Sequence, residues 1–263
     1  MLRFLINLKD SKERLSRMQD ILGRLDIDFE RIEAVNGKAM DPAKVLEIQY
    51  PLNDLYYRTR FTRLLSPGEV GCYLSHIACW KRLVNSNEQW ALIMEDDIIV
   101  SSLAGQYMKS CDWIPPQVDV CQLSMLNHKK NKDFIVGFER LKVDDRLTLV
   151  QPKYPLPVGA HAYLISRKAA QEAIRQSSKL ASPVDIFLFS PWFDFGQTFK
   201  TWRVNPVLVL PNDAIESDIW KGTARKVEKA PFWIRKHPKR MIMDYRIRKE
   251  QRKGAHFDFE FVP

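Results

Sequence analysis

Three consecutive carboxylates interrupt an apolar run in the middle of the chain. The stretch 91–100 reads ALIMEDDIIV and places Glu95, Asp96 and Asp97 between apolar residues on both sides. An apolar run of this length is typical of a strand buried on both faces, as in a parallel sheet covered by helices. Because ligands of such sheets bind beyond the carboxyl ends of the strands, we expect the three acids at a ligand site.

The alternation of side chains along an extended backbone separates the three acids. Glu95 and Asp97 are predicted to point to one side of the strand and Asp96 to the other. Two carboxylates on one side can hold a hard divalent cation, which in turn holds phosphates. The alternative is that the acids cap a helix or form a surface turn. Since charges beside a core need partners, we favour the binding site.

Length and composition are those of a globular protein with a large core. The 263 residues fit one large α/β domain, or one domain with an appendage, and 45% are hydrophobic. No apolar run approaches the roughly 20 residues needed to span a bilayer. The apolar opening at 1–8 is too short for a signal peptide, so we expect a cytoplasmic protein. The four cysteines lack metal-ligand spacing and are predicted to be reduced thiols.

The net charge of +9 is concentrated near the C-terminus. Residues 220–253 contain 13 Lys or Arg and 3 Asp or Glu, whereas the remainder has 28 basic and 29 acidic residues. We therefore predict a domain over 1–219 and a basic, mostly helical C-terminal segment over 220–263. Aromatic residues and Met alternate with the cations, which favours contact of 220–253 with an anionic membrane surface. The alternative is a solvated helix docked on the body.

The first 37 residues predict a β-α-β opening. A strand over 2–8 is followed by a helix with a capping box at Asp10, and then by a strand over 27–35. The turn at Asn36 and Gly37 then lies at the same edge of the sheet as the loop after the first strand. Arg14 and Arg17 lie in the first turns of the helix, and Arg17 is expected to be a solvated surface charge.

Two Ser-Pro pairs predict helix starts. Ser66 caps a helix that runs to about residue 84, and Glu69 closes the capping box. His76 on this helix is either a hydrogen-bonded structural residue or a ligand. The second helix follows Ser182 and carries Asp185 in its first turn, where a carboxylate also complements the helix dipole.

The remaining elements follow from short apolar runs and turn residues. We predict helices over 103–110 and 167–177, a hairpin of 134–138 with 146–150, and strands over 118–123, 158–165, 199–204 and 207–210.

Several separated motifs resemble one family. They are INL at 6–8 with Arg14, AVNG at 34–37, LSPGEVGCYLSH at 65–76 with Trp80, LIMEDD at 92–97, AYLIS at 162–166 and PVD at 183–185. In this order they resemble glycosyltransferase family 25, the group that builds bacterial lipooligosaccharide. The resemblance covers roughly residues 2 to 220.

The resemblance implies a fold and a reaction. The fold is GT-A-like, a Rossmann-type nucleotide-sugar-binding α/β domain. The reaction transfers galactose or glucose from a UDP-sugar to a lipooligosaccharide core sugar with inversion, and uses Mn²⁺ or Mg²⁺. Such an enzyme is expected at the cytoplasmic side of the inner membrane and is not expected to bind nucleic acid. A cation bridging the diphosphate lowers the barrier to its departure, and inversion needs a carboxylate base on the opposite face.

The resemblance also implies site residues. Glu95 and Asp97 stand at the metal, although whether Glu95 or Asp96 pairs with Asp97 is left open. Asp185 is the base. His161 stands where a smaller residue is expected, so the acceptor contacts there differ. The donor-binding residues implied are Asn7, Arg14, Asn36, Gly37, Glu69, Ser75, His76 and Asp96.

Two other functions are compatible with parts of the sequence. Carboxylates at a strand end also serve metal-dependent phosphohydrolases, which normally need more metal ligands or a nucleophilic Asp. The sequence pI of about 9.3 also suggests a nucleic-acid-binding protein. The near-neutral body and the lack of a nucleic-acid motif argue against the second alternative.

Overall fold

A computed structural model describes residues 1–49, 64–125, 137–152, 159–190, 193–212, 214–215 and 261–263. The predicted basic segment 220–253 lies outside these residues, so its helical content, its membrane contact and the domain division at 219 stay predictions. Among the described residues no helix is both long and apolar enough to cross a bilayer. The four cysteines are free thiols.

The strands form one large sheet and one small one. In chain order they are β1 (Leu2–Asn7), β2 (Glu30–Glu33), β3 (Trp90–Glu95), β4 (Ile98–Val100), β5 (Val120–Gln122), β6 (Gly137–Lys142), β7 (Thr148–Pro152), β8 (Ala162–Ser166), β9 (Thr201–Asn205) and β10 (Val209–Pro211). The large sheet has the order β2-β1-β3-β8-β5-β9-β7-β6, and β4 pairs with β10 in the small sheet.

The large sheet is mixed and not purely parallel. β1 pairs in parallel with β2 and with β3, as the β-α-β opening predicts. β8 lies antiparallel between β3 and β5, and β5 is in turn parallel to β9. The α/β class and the Rossmann-type opening are therefore confirmed, and the two antiparallel strands β8 and β7 interrupt an otherwise parallel sheet.

Seven α-helices are described. They are α1 (Lys12–Arg24), α2 (Pro42–Glu47), α3 (Pro67–Val84), α4 (Ala104–Met108), α5 (Arg167–Gln176), α6 (Val184–Phe189) and α7 (Asp194–Thr198). A short 3-10 turn spans Gly37–Ala39.

The capping predictions are confirmed for α3 and wrong for α1. Ser66 Oγ accepts from the Glu69 N–H at 3.3 Å, and Glu69 Oε2 accepts from the Ser66 N–H at 2.8 Å. α1 instead begins after Ser11, whose side chain makes no capping bond, so Asp10 is not its cap. α6 begins one residue later than predicted, with Pro183 at the cap position.

The predicted central strand divides at its acids. β3 ends at Glu95, the backbone bends at Asp96 and Asp97, and β4 then leaves the large sheet. The Asn212 N–H donates to the Asp97 carbonyl at 2.7 Å, which ties the bend to the strand that pairs with β4. The bend therefore holds the acids at the carboxyl end of β3.

Two apolar layers cover the large sheet. Ile93 packs in the layer under α3, α5 and α6, whereas Leu92 and Met94 pack in the layer under α1 and α4. All three side chains are fully buried, which confirms that β3 is covered on both faces. The carboxyl ends of β1, β3 and β5 and the start of β8 consequently meet at one edge.

Candidate functional site

Asp96 is held by residues from β1 and α1. The Asn7 Nδ2 amide donates to Asp96 Oδ2 at 2.6 Å, and Arg14 Nη1 donates to Oδ1 at 3.3 Å. Arg31 Nε fixes the Asn7 side chain by donating to its Oδ1 at 2.9 Å. Burial raises the pKa of Asp96, although the bonds from Asn7 and Arg14 oppose this shift. Both carboxylate oxygens of Asp96 are therefore occupied by protein donors.

Arg17 is not the solvated surface charge that the sequence predicts. Its guanidinium donates to the carbonyls of Asp96 and Ile98, each at 2.9 Å. Burial lowers the pKa of Arg17. The negative charges of Asp96 and Asp97 oppose this shift but do not cancel it. The side chain thus bridges the acidic bend from α1 and neutralises part of its charge.

Glu95 faces the other side of the strand end, toward α3. Its Oε1 lies 3.3 Å from His76 Nε2 and accepts from Cys72 Sγ at 3.7 Å. Burial alone would raise the pKa of Glu95, but the hydrogen bond from His76 and the nearby His161 imidazole outweigh it, and the pKa falls to about 2. Glu95 Oε2 makes no hydrogen bond to the described part of the chain, so this oxygen is left for a ligand.

Asp97 has a buried oxygen without a partner. Asp97 Oδ1 makes no hydrogen bond to the described part of the chain. Burial raises the pKa of Asp97 to about 6, with a further contribution from the charge of Glu95. An unpartnered buried carboxylate oxygen is costly, and a bound cation or hydrogen-bond donor would relieve that cost.

Asp185 belongs to the same acidic region. Its Oδ1 accepts from the Ile186 N–H at 2.8 Å in the first turn of α6. Burial raises the pKa of Asp185 to about 6, and the charges of Glu95 and Glu69 add to the shift. The structure thus brings a carboxylate of α6 into electrostatic contact with the acids at the end of β3.

The Asn36–Gly37 turn packs directly on the start of α3. A Cβ added to Gly37 would lie 1.7 Å from the Pro67 carbonyl oxygen, and one added to Gly71 would lie 2.4 Å from the Val35 oxygen. Ser75 Oγ accepts from the Val35 N–H at 2.8 Å and donates to the Gly71 carbonyl at 2.7 Å.

Besides Asn7, Arg14, His76 and Asp96, three further predicted donor-binding side chains have partners within the protein. Ser75 links α3 to the residue before the turn, Glu69 closes the capping box, and Asn36 accepts from the Lys38 N–H at 3.1 Å. Their donor-binding role stays a prediction.

His161 is placed at the centre of the site. Its carbonyl accepts from the Glu95 N–H at 2.8 Å, and its imidazole influences the pKa values of Glu95, Asp97 and Asp185. Its Nδ1 is buried without a partner among the described residues. The ring lies against Gly159, where a Cβ would approach it to 2.5 Å. The sequence signal for this position was only the unexpected size of the residue.

The sequence does not indicate site roles for Cys72, Trp80 or Tyr163. All three lie within or beside the family-like motifs, and Trp80 also follows the apolar spacing of the buried helix face.

A family model matches most of the chain. The model of glycosyltransferase family 25 (LPS biosynthesis protein) matches residues 1–188. The chain belongs to glycosyltransferase family 25. The matched range contains β1 to α5 and most of α6, and so includes Glu95, Asp96, Asp97 and Asp185.

Curated relatives of this family 25 chain include longer proteins. It is 28% identical to procollagen galactosyltransferase 1-B of Xenopus laevis over 88% of this chain and 38% of the relative. It is 26% identical to procollagen galactosyltransferase 2 of Homo sapiens over 89% of this chain and 40% of the relative. A glycosyltransferase 25 family member of Anopheles gambiae is 36% identical over 79% of this chain and 36% of the relative. The chain thus spans about two fifths of the length of these relatives.

One solved structure is also similar to the family 25 chain. It is a glycosyltransferase involved in the glycosylation of the major capsid of PBCV-1, and it covers 82% of this chain and 95% of its own. The sequence identity is 8% and the TM-score is 0.38, a likeness too weak to carry an argument.

Proposed function

We propose that this family 25 protein transfers a hexose from a UDP-sugar to a core sugar of lipooligosaccharide or lipopolysaccharide, with inversion and with the help of a divalent cation. The observation that carries the proposal is the pair of carboxylate oxygens at the carboxyl end of β3 that have no protein hydrogen bond among the described residues. These are Glu95 Oε2 and the buried Asp97 Oδ1.

The distribution of hydrogen bonds favours Glu95 over Asp96 as the partner of Asp97 at the cation. Asp96 uses both oxygens for Asn7 and Arg14, whereas Glu95 uses only Oε1 within the protein. Carboxylate oxygens are the ligands that Mn²⁺ and Mg²⁺ prefer. When bound, the cation neutralises charge on the departing diphosphate. Arg14 and Arg17 add fixed positive charge on the α1 side of the acids.

Asp185 is the proposed base. A base must be ionised at neutral pH yet basic enough to take a proton from the acceptor hydroxyl. A pKa of about 6 meets both conditions, and the cause is the burial of the carboxylate at the start of α6. The Ile186 N–H holds one oxygen, which leaves the other for the acceptor.

The nucleotide is proposed to lie against the β1 edge, between the loop after Asn7 and the Asn36–Gly37 turn. Gly37 and Gly71 bring this turn onto α3, the helix whose Cys72 and His76 contact Glu95. The remaining proposed donor contacts are Arg14, Glu69, Ser75, His76 and Asp96.

The names of the relatives and of the family suggest the substrates. Two relatives are named as galactosyltransferases, which favours UDP-galactose over UDP-glucose. The family description names lipopolysaccharide biosynthesis, which favours that acceptor class. An acceptor of this kind is membrane-anchored, and the basic segment 220–253 is proposed to hold the enzyme at the cytoplasmic face of the inner membrane.

Calorimetric titration of UDP-galactose and of UDP-glucose tests the proposal. Each sugar nucleotide is titrated with Mn²⁺ and again with EDTA. We expect binding that needs the cation and that is tighter for UDP-galactose. Equal binding in EDTA would contradict the role of the cation, and absence of binding for both would contradict the donor class.

A further inference from the structure

A buried chain of hydrogen bonds runs from the core to Glu95. Trp80 Nε1 donates to Tyr163 Oη at 2.9 Å, Tyr163 Oη lies 2.8 Å from His76 Nδ1, and His76 Nε2 lies 3.3 Å from Glu95 Oε1. Trp80, Tyr163 and His76 are completely buried. The His76 and Tyr163 rings also stack, with their centroids 5.6 Å apart.

The donors and acceptors in this series of hydrogen bonds determine which nitrogen of His76 carries the proton. The indole N–H of Trp80 is a donor only, so Tyr163 Oη accepts from it. The phenol proton of Tyr163 then has one remaining partner among the described residues, which is His76 Nδ1. Nδ1 therefore accepts, and the neutral ring carries its proton on Nε2. That proton is donated to Glu95 Oε1.

The tautomer of His76 affects metal binding, because the side chains next to His76 are of the kinds that bind Zn²⁺. Cys72, His76 and Glu95 offer a thiol, an imidazole nitrogen and a carboxylate oxygen that all lie within 4.8 Å of one another. A histidine that binds a metal through Nε2 must move its proton to Nδ1. Here Nδ1–H and the phenol proton would then face each other, and a buried hydroxyl would lose its acceptor.

We propose that Tyr163, held by Trp80, is a positioning residue that keeps His76 as a donor to Glu95 and thereby makes the site select a cation bound by carboxylate oxygens over Zn²⁺. Because His76 and Cys72 both donate to Oε1, Glu95 presents Oε2 to the cation. The metal-selectivity part of this inference rests on the proposed function, whereas the tautomer of His76 does not.

Nitrogen NMR of the full chain with ¹⁵N-labelled histidine tests the tautomer directly. The spectrum is recorded without metal at mildly alkaline pH, and the signal of His76 among the five histidines is assigned by its loss in His76→Gln. We expect a protonated Nε2 and an unprotonated Nδ1. A proton on Nδ1 would overturn the proposal whatever the protein does with sugars.

Metal titration of Tyr163→Phe tests the selectivity. Tyr73→Phe is the matched control, because it removes another buried hydroxyl of the same core, one that contacts Ser177 at 3.1 Å. Zn²⁺ and Mn²⁺ affinities are measured by competition with a chelating dye. Co²⁺ absorption reports thiolate ligation by Cys72.

The expected result is a change of metal preference in one variant. Tyr163→Phe gains about tenfold in Zn²⁺ affinity and shows a Co²⁺–thiolate band, which corresponds to relief of one unsatisfied buried hydroxyl. Wild type and Tyr73→Phe show no such band and bind Mn²⁺ alike. Equal Zn²⁺ binding by the two variants overturns the role of Tyr163. Failure of wild type to bind Mn²⁺, with the expected His76 tautomer observed, instead contradicts the proposed cation-dependent function.

Discussion

Replacing Gly37 with alanine is expected to separate the Asn36–Gly37 turn from α3. The added Cβ would lie 1.7 Å from the Pro67 oxygen, 2.6 Å from the Pro67 carbonyl carbon and 2.9 Å from the Gly71 nitrogen. All three are backbone atoms, which cannot rotate away as a side chain can. Since non-bonded carbon and oxygen atoms pack about 3.5 Å apart, the two backbones must separate by roughly 1.5 Å or more.

The separation carries two costs. Overpacking of a tight contact costs about 1–3 kcal/mol. A shift of this size also breaks the 2.8 Å bond from the Val35 N–H to Ser75 Oγ. A half-buried donor left without an acceptor adds about 1 kcal/mol, the low end of the range for a buried one. We therefore expect Gly37→Ala to lower the free energy of unfolding by about 2–4 kcal/mol, a large fraction of the total for a typical domain.

Urea denaturation followed by circular dichroism measures this loss. Gly71→Ala is expected to act similarly, because its Cβ would meet the Val35 oxygen at 2.4 Å and the Gly37 nitrogen at 2.5 Å. Gly23→Ala in α1 is the control, since its Cβ meets nothing within 4 Å. This control should be stabilised by about 0.5–1 kcal/mol. A Gly37→Ala protein within about 1 kcal/mol of wild type would refute the reasoning.

Four further outcomes follow from the site. Asp97→Asn should lose Mn²⁺-dependent binding of UDP-sugar, yet unfold at a higher temperature in EDTA. Because burial and the charge of Glu95 raise the pKa of Asp97 to about 6, Asp97 stabilises the fold below about pH 4, and this contribution is lost as the pH rises through 6. A lower unfolding temperature in EDTA would contradict this sign. Asp185→Asn should keep calorimetric donor binding and lose about 10²–10⁴-fold in turnover. Wild-type turnover should fall as the pH drops below about 6, and full turnover in the variant would remove Asp185 from the mechanism. Arg17→Ala should lower the free energy of unfolding in urea by about 1–3 kcal/mol, because two carbonyls of the acidic bend lose their donor. The control is Arg24→Ala at an exposed position, whose free energy of unfolding should stay within about 0.5 kcal/mol of wild type. Wild-type protein should co-sediment with anionic liposomes more than with neutral ones through 220–253, and equal sedimentation would contradict membrane contact.

The sequence predicted the elements whose signals are local. The start of α3 was predicted at Ser66 because the cap, the proline and Glu69 lie within four residues. The burial of β3 on both faces was predicted because an unbroken apolar run is itself the pattern of such a strand. The placement of the acids at the end of β3 follows from the same run.

Features that depend on distant partners were missed or misjudged. The sequence predicts a surface charge at Arg17 because nothing near it in the sequence indicates its acceptors, which are carbonyls 79 and 81 residues away. Tyr163 lies in a predicted strand that gives no sign of its partner, and its contact with His76 spans 87 residues. The antiparallel pairing of β8 with β3 could not be predicted, because neither strand carries a sequence pattern that indicates the direction of its neighbour. Local periodicity thus predicts the helices and strands, whereas the pairing of distant strands determines which side chains meet at the site.

The long sequence separation of the site contacts has a kinetic consequence. Asn7 meets Asp96 across 89 residues, and Trp80 meets Tyr163 across 83. Contacts of this range form slowly, because a large loop must close before the contact stabilises anything. During synthesis on the ribosome, Glu95 would emerge well before β8, the strand that carries Tyr163. The carboxylates at the end of β3 would therefore stay exposed to solvent until β8 pairs with β3. The acidic centre should consequently be among the last regions to gain protection from hydrogen exchange during refolding.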